Sequence, residues 1–167
     1  NYGESVILSA SKPGNSCQVS QQKITVSGTV SGLTVTCAPT TYLISGTNGT
    51  GALVSISGTT ESNTATSAGT FGFNAKFGET VTLTATKEGY TCTVDGLPIT
   101  LPAYNVQANV VCEPNTYSIR GSTDGATITV SGSSVSNEVT VSEGTYQLSA
   151  KYGDGIYLSA TKVGYTC

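Results

Sequence analysis

The sequence predicts an all-β protein made of tandem β-sandwich repeats of about 75 residues. Three observations lead there. One stretch occurs three times, as YGESVILSASKPGNSC (2–17), FGETVTLTATKEGYTC (77–92) and YGDGIYLSATKVGYTC (152–167), and the offset between copies is the same both times. Cys37 and Cys112 are separated by that same offset, and they open the related segments CAPTTYLISG and CEPNTYSIRG. Apolar residues alternate with Ser and Thr in short runs, and no run has a helical period. Self-similarity at a fixed period marks a repeat architecture. It also bears on function, because a solitary active site would break the repeat and no segment does.

Residues 1–37 read as the C-terminal half of a repeat. Residues 4–11 alternate, with Val6, Leu8 and Ala10 on one face, which predicts a strand with one buried side. Lys12-Pro13-Gly14-Asn15 is a turn, and the strand resumes through Cys17 and Val19. The next apolar runs are 24–26 and 33–37, punctuated by Gly28 and Gly32.

Residues 38–112 form the one complete repeat. Strands are expected at 41–45, with Tyr42 and Ile44 on one face, at 53–57, at 70–75 with Phe71 and Phe73 alternating, at 80–86 with Val81, Leu83 and Ala85 on one face, and at 90–94. Residues 47–51 are a loop, and the polar stretch 61–67 is an edge strand or loop. Asp95-Gly96 and residues 98–102 make a longer connection, and 105–112 closes the domain. About seven short strands at this spacing are the pattern of an immunoglobulin-like sandwich.

Residues 113–167 are the N-terminal part of the next repeat. Strands are expected at 117–120, 126–131, 138–142, 145–150 and 156–161. Relative to the complete copy, the loop 122–126 is one residue shorter and the segment 137–144 one longer. Packed strands tolerate length changes of this kind in loops and edges.

Composition excludes several classes of function. Charged residues are only 10% of the chain and the net charge is −3, with no basic patch, so nucleic acid is not an expected partner. No apolar run approaches the length of a membrane span. The 21 Ser and 28 Thr could indicate a disordered tract, but regularly alternating Val, Ile, Leu, Tyr and Phe argue for folded strands. His is absent, which removes the usual residue of acid–base and metal chemistry. No Ser–Lys dyad or triad can be assembled, so an enzyme is not expected, and no cofactor is.

The five cysteines lie at 17, 37, 92, 112 and 167, with no CxxC pair to suggest zinc. They read as a disulfide framework of an oxidising, extracellular or cell-surface setting, with Cys17 bonded to Cys37 and Cys92 to Cys112. Cys167 has no partner in the sequence. Its periodic partner would fall about 20 residues beyond the last residue, by the spacing of the other two pairs. The alternatives are a free thiol or an intermolecular bond.

The runs YLISG, GTFGFNAKFGETVTLTATKEGYTCTV and NVQANVVC resemble an immunoglobulin-like tandem repeat of exported and surface proteins of Gram-negative bacteria. The matching residues are Tyr42, Ile44, Gly46, Gly69, Phe71, Phe73, Thr91, Cys92 and Cys112. The Gly-Thr-Phe-x-Phe portion also resembles carboxypeptidase-regulatory-like and transthyretin-like sandwiches. LPITLP at 97–102 departs from the glycine-rich link usual in such repeats. The resemblance implies rods, stalks and adhesins rather than a defined activity.

Other candidate residues have plainer readings. Asp95, Asp124 and Asp154 each precede Gly and read as turn residues before calcium ligands. Glu4, Glu79 and Asp154 recur at one repeat position and are expected to face solvent or pair weakly with Lys76 and Lys151. A Lys–Asn isopeptide bond is conceivable at Lys76 or Lys151, but no carboxylate neighbour for it is identifiable. Tyr42 with Tyr117, and Tyr90 with Tyr165, are expected in core or inter-repeat packing rather than as sugar platforms. Asn48-Gly49-Thr50 is an N-glycosylation sequon on an expected loop, Asn15-Ser16-Cys17 is a weaker variant, and Ser/Thr-rich faces offer O-linked sites.

The expected function is structural: an extracellular filament, fibril or adhesin stalk, glycosylated, in which the repeat chain continues or self-associates. Pro39 and Pro114 leave little slack between repeats. Two alternatives stand beside it. One is a pilus-like subunit polymerising by donor-strand exchange, with residues 18–37 of one chain completing the partial repeat of another. The other is an adhesin module binding glycans or matrix, which predicts a loop unlike its counterpart in the other repeat.

Overall fold

The computed structural model describes residues 2–49, 51–132, 134 and 144–167. Among these residues every regular element is a strand. The strands are β1 (Ser5–Ile7), β2 (Asn15–Val19), β3 (Lys23–Thr25), β4 (Val35–Pro39), β5 (Thr41–Thr47), β6 (Leu53–Ser57), β7 (Thr70–Lys76), β8 (Thr80–Thr86), β9 (Tyr90–Val94), β10 (Ile99–Thr100), β11 (Val106–Gln107), β12 (Val110–Pro114), β13 (Thr116–Ser122), β14 (Thr127–Ser131), β15 (Thr145–Lys151) and β16 (Tyr157–Thr161). The expected strand at 138–142 lies outside the described residues. The chain divides into two compact units, residues 1–85 with 93–111, and residues 86–92 with 112–167.

In the first unit two three-stranded sheets run β11-β5-β7 and β10-β8-β6. Alternation explains their packing. Along β7 every second residue is buried, so Phe71, Phe73 and Ala75 point one way while Thr70, Gly72 and Asn74 are exposed. β8 follows the same rule with Val81 and Leu83 inward and Thr80, Thr82 and Thr84 outward. Antiparallel pairing sets Ile44 opposite Phe73 and Tyr42 opposite Ala75. Val54 of β6, Leu101 and Ala108 complete the apolar core. Gly46 permits a close approach, since a Cβ there would lie 1.7 Å from the Ala108 carbonyl oxygen.

Several expectations are corrected here. The connection at 98–102 contains β10, whose Ile99 sits opposite Val81 and is buried. The closing strand 105–112 is two elements: β11 pairs in parallel with β5, setting Val106 beside Ile44, and β12 pairs with β9. Residues 4–11 do not form a strand with a buried face. β1 ends at Ile7 and all three of its residues are exposed, because its ladder has a partner only in β3. Val81, the equivalent of Val6 one repeat later, is buried because β8 has β6 on one side and β10 on the other. Asn15, expected in a turn, begins β2.

In the second unit β13 pairs with β15 from Thr116↔Lys151 to Ser122↔Thr145, and β14 pairs with β16 from Thr127↔Thr161 to Ser131↔Tyr157. Leu148, Ala150 and Ala126 are buried. The strand bounds follow those of the first unit: β13 repeats β5, and β15 repeats β7, at the offset of the sequence repeat. β14 begins one position early relative to β6, which is the shortening read in the loop before it.

Candidate functional site

The residues fall into four local constructions, each built twice; only the disulfides use the same side chains in both copies. The first is the disulfides. Cys17 is bonded to Cys37 and Cys92 to Cys112, each pair with Cα atoms 4.0 Å apart. Cys17 and Cys37 stand directly opposite in the β2–β4 ladder. Cys167 is a free, exposed thiol.

The second construction holds Asn48. It does not present its side chain on the loop surface, as a glycan acceptor must; it is fully buried. Its amide nitrogen donates to the Ala52 carbonyl, and its Oδ1 accepts from the Ala52 N–H at 3.1 Å. The Asn48 N–H donates to the Gly69 carbonyl at 2.8 Å. Thr123, the equivalent position one repeat on, does the same work with a hydroxyl: Ala126 N–H donates to its Oγ1 at 2.9 Å, and its own N–H donates to the Gly144 carbonyl at 2.6 Å. Asn48 is therefore a loop staple. An oligosaccharide on its nitrogen would have to displace those bonds.

The third construction was not read from sequence. Glu79 is half-buried, and its carboxylate is engaged by hydrogen bonds rather than by the Lys76 ammonium. Its carboxylate accepts from the Thr60 hydroxyl at 2.7 Å, the Thr60 N–H at 2.9 Å, the Lys76 N–H at 2.8 Å and the Thr59 hydroxyl at 2.8 Å. It clamps the segment after β6 onto the turn between β7 and β8. The Lys76 ammonium instead lies 3.5 Å from Glu61. The second unit repeats the clamp: Asp154 accepts from the Ser134 N–H at 3.0 Å and its hydroxyl at 2.8 Å, and from the Lys151 N–H at 2.9 Å. The recurrence of Glu79 and Asp154 was the available signal; their partners were hidden in a Thr/Ser-rich stretch without a distinctive pattern.

These bonds hold the Glu79 carboxyl down at about 2, the Thr60 hydroxyl contributing most and the Lys76 N–H next. Asp154 is also lowered, chiefly by the Ser134 N–H and then the Lys151 N–H. A depressed folded-state value stabilises the fold above the ordinary carboxylate value of 4.5, and the contribution is lost as pH falls through about 2. Glu79→Gln should lower the urea midpoint at pH 7. The gap to the parent should narrow steadily from pH 4.5 towards pH 2. Equal midpoints at pH 7 would remove the clamp from the account.

The fourth construction is a joint. The Gly14 carbonyl accepts from the Thr40 N–H, and the Thr40 carbonyl accepts from the Phe77 N–H, both at 2.9 Å. Gly14 lies against the Phe77 ring, where a Cβ would come within 2.3 Å. The same arrangement recurs one repeat later: Gly89 carbonyl, Asn115 and Tyr152 N–H are joined by two bonds of 2.8 Å, and a Cβ on Gly89 would lie 2.2 Å from the Tyr152 ring. The Thr91 hydroxyl adds a bond to Asn115 Oδ1 at 2.7 Å.

The chain matches no family model, no curated protein and no solved structure. Its chemistry is therefore read from its own residues. Among the described residues no three His, Cys, Asp or Glu side chains gather to hold a metal, and no buried side-chain polar atom lacks a partner. No helix there is long and apolar enough to cross a membrane. Of the recurring tyrosines, Tyr90 packs edge-on against Tyr152 with ring centroids 5.7 Å apart and carries the Lys87 ammonium 3.9 Å from its ring centre. Tyr165 similarly holds Lys162 at 4.4 Å. Tyr117 is half exposed and does not enter a core. These residues lock turns, loops and strand pairs in place.

Proposed function

We propose that the chain is a structural protein of the cell exterior: tandem immunoglobulin-like β-sandwiches, one to each sequence repeat, in series along a surface filament, fibril or adhesin stalk. The observation that carries this reading is the joint. A turn glycine, a linker residue and an aromatic are bonded in the same way at Gly14–Thr40–Phe77 and at Gly89–Asn115–Tyr152. Each joint spans the Pro-containing linker after a disulfide-bonded cysteine, which stiffens the connection. Repeats whose linkers are bonded in the same local way in each copy can follow one another in series along a rod.

The two disulfides support the extracellular setting, since such bonds persist in oxidising compartments. The outward rows of β8, Thr80, Thr82, Thr84 and Thr86, offer hydroxyls for O-linked sugars. Asn48 is not offered for N-linked sugar, because its amide is consumed inside the loop.

Gly89→Ala tests the joint. The residue has φ of +75°, where a Cβ costs about 1–2 kcal/mol, and the Tyr152 ring must also move. Destabilisation of the second unit is expected, with faster hydrogen exchange at the Tyr152 amide; unchanged exchange there would show that the joint carries no load. The reading as a whole is tested by the mass of native material under non-denaturing conditions. A mass many times 16.9 kDa is expected, and a single species of 16.9 kDa would overturn it.

A further inference from the structure

β7 is an outer strand of its sheet, with β5 as its neighbour in the order β11-β5-β7. Leu43 of β5 stands opposite Asn74, yet its N–H turns the other way, to Asn105 Oδ1 at 2.9 Å. Ser45, opposite Gly72, likewise turns its carbonyl away, to accept from the Ala108 N–H at 2.9 Å. In an antiparallel ladder such pairs point their peptide groups outward on both strands. Outward groups therefore fall at every second residue of β7, Gly72, Asn74 and Lys76 among them. Residues 70–75 carry no charge, so two such edges would meet without repulsion. An edge of this kind is a template for a further strand.

One side chain stands in the way. Asn63 Oδ1 accepts from the Asn74 N–H at 2.7 Å, and its Nδ2 donates to the Asn74 carbonyl at 2.9 Å. The amide makes the two bonds that a partner strand would make there. The next outward donor, the Lys76 N–H, is taken by the Glu79 carboxylate at 2.8 Å. The stretch that carries Asn63 is anchored on both sides of it. The Glu79 carboxylate holds Thr59 and Thr60, and Thr66 exchanges two backbone bonds with Val54, at 2.8 and 2.9 Å. Val54 lies in β6, an outer strand of the other sheet. The same stretch thus covers β6 with its backbone and β7 with a side chain.

We propose that Asn63 shuts the outer edge of β7 against strand addition by a second copy of this chain. The occupant it excludes is another β7. Antiparallel pairing of one edge with its own copy is self-complementary, and it would join two three-stranded sheets into one. With the edge shut, copies lie side by side without fusing through their sheets. The inference goes beyond the filament reading, because the edge and its guard belong to one complete repeat.

The oxidised full-length chain is compared with Asn63→Ala. At low concentration the Asn74 amide of the parent should exchange with solvent about tenfold more slowly than that of the variant. At high concentration Asn63→Ala should form an associated species, absent from the parent, in sedimentation velocity. Isotope-filtered nuclear magnetic resonance on mixed labelled and unlabelled copies should then show contacts between β7 of one copy and β7 of another. Thr70 is exposed, and adding Thr70→Lys to Asn63→Ala puts a charge on that edge, which should abolish the species. Asn63→Ser carries the same comparison if the alanine variant does not fold. An Asn74 amide that exchanges equally fast in parent and variant would overturn the proposal. So would equal association of the two at every concentration, or association through another surface that survives Thr70→Lys. Each readout is a difference between parent and variant, so its failure leaves the filament reading, tested by native mass, untouched.

Discussion

Phe73→Ala should destabilise the first unit by about 3–5 kcal/mol, enough to unfold much of a domain this small under ordinary conditions. Phe73 is 1% exposed, lies opposite Ile44 in the β5–β7 register, and stacks on Phe71 with ring centroids 5.5 Å apart. Truncation removes the transfer energy of a buried ring and leaves a cavity between strands already fixed by their ladders. Phe73→Leu should cost only about 1–1.5 kcal/mol. Leu148 stands at the matching position of β15 and is itself buried, so the local backbone accepts that shape. Urea denaturation followed by far-ultraviolet circular dichroism measures both. A loss below about 1 kcal/mol for Phe73→Ala would mean that the core is not organised around β7.

Removing the Cys92–Cys112 bond as Cys92→Ala, Cys112→Ala should cost roughly 3 kcal/mol, mostly by freeing the unfolded chain. The two cysteines are 20 apart in sequence, the same separation as Cys17 and Cys37. Alanine is the proper replacement, because Cys112 is 6% exposed and a serine hydroxyl there would add the cost of a buried polar group. Cys17→Ala, Cys37→Ala should cost a similar amount through the unfolded state, but disturb the native packing less, since both of these cysteines are only half-buried. Denaturation midpoints of the two double variants against the parent decide this. If neither variant differs from the parent by more than about 0.5 kcal/mol, the disulfides are not what stabilises these small units.

The parts of the fold legible in the sequence were those governed by one local rule. β7 and β8 could be read because Phe71, Phe73, Val81 and Leu83 alternate with Thr, Gly and Asn, and alternation alone decides which side is buried. The disulfide pairs could be read because their spacing repeats. What could not be read depended on a distant partner. Ile99 sits between prolines in a stretch that looks like a connection, and only the edge of β8 makes it a strand. Val106 pairs in parallel with Ile44 of β5, a contact between distant parts of the chain that leaves no local signature. Val6 and Val81 occupy equal sequence contexts, yet one is exposed and the other buried, because burial is set by what lies on both sides of the strand.

The candidate sites divide in the same way. Asn48 satisfies a three-residue glycosylation pattern, but that pattern says nothing of whether the amide is free. Thr123 at the equivalent loop was the hint that the position calls for a small hydrogen-bonding side chain. Glu79 and Asp154 read as charges facing solvent or pairing weakly with lysines, and both are in fact half-exposed; what the sequence hid is their hydrogen-bond partners. Their clamp is assembled from backbone N–H groups and from Thr and Ser residues well upstream in the chain.

Electron microscopy of the native material is the measurement that bears most directly on the proposed function. A thin fibre with an axial repeat of roughly 25–40 Å, the length of one sandwich built from strands of five to seven residues with their turns, is the expected result. Compact, separate particles with no axial repeat, at concentrations where the material is intact, would contradict it.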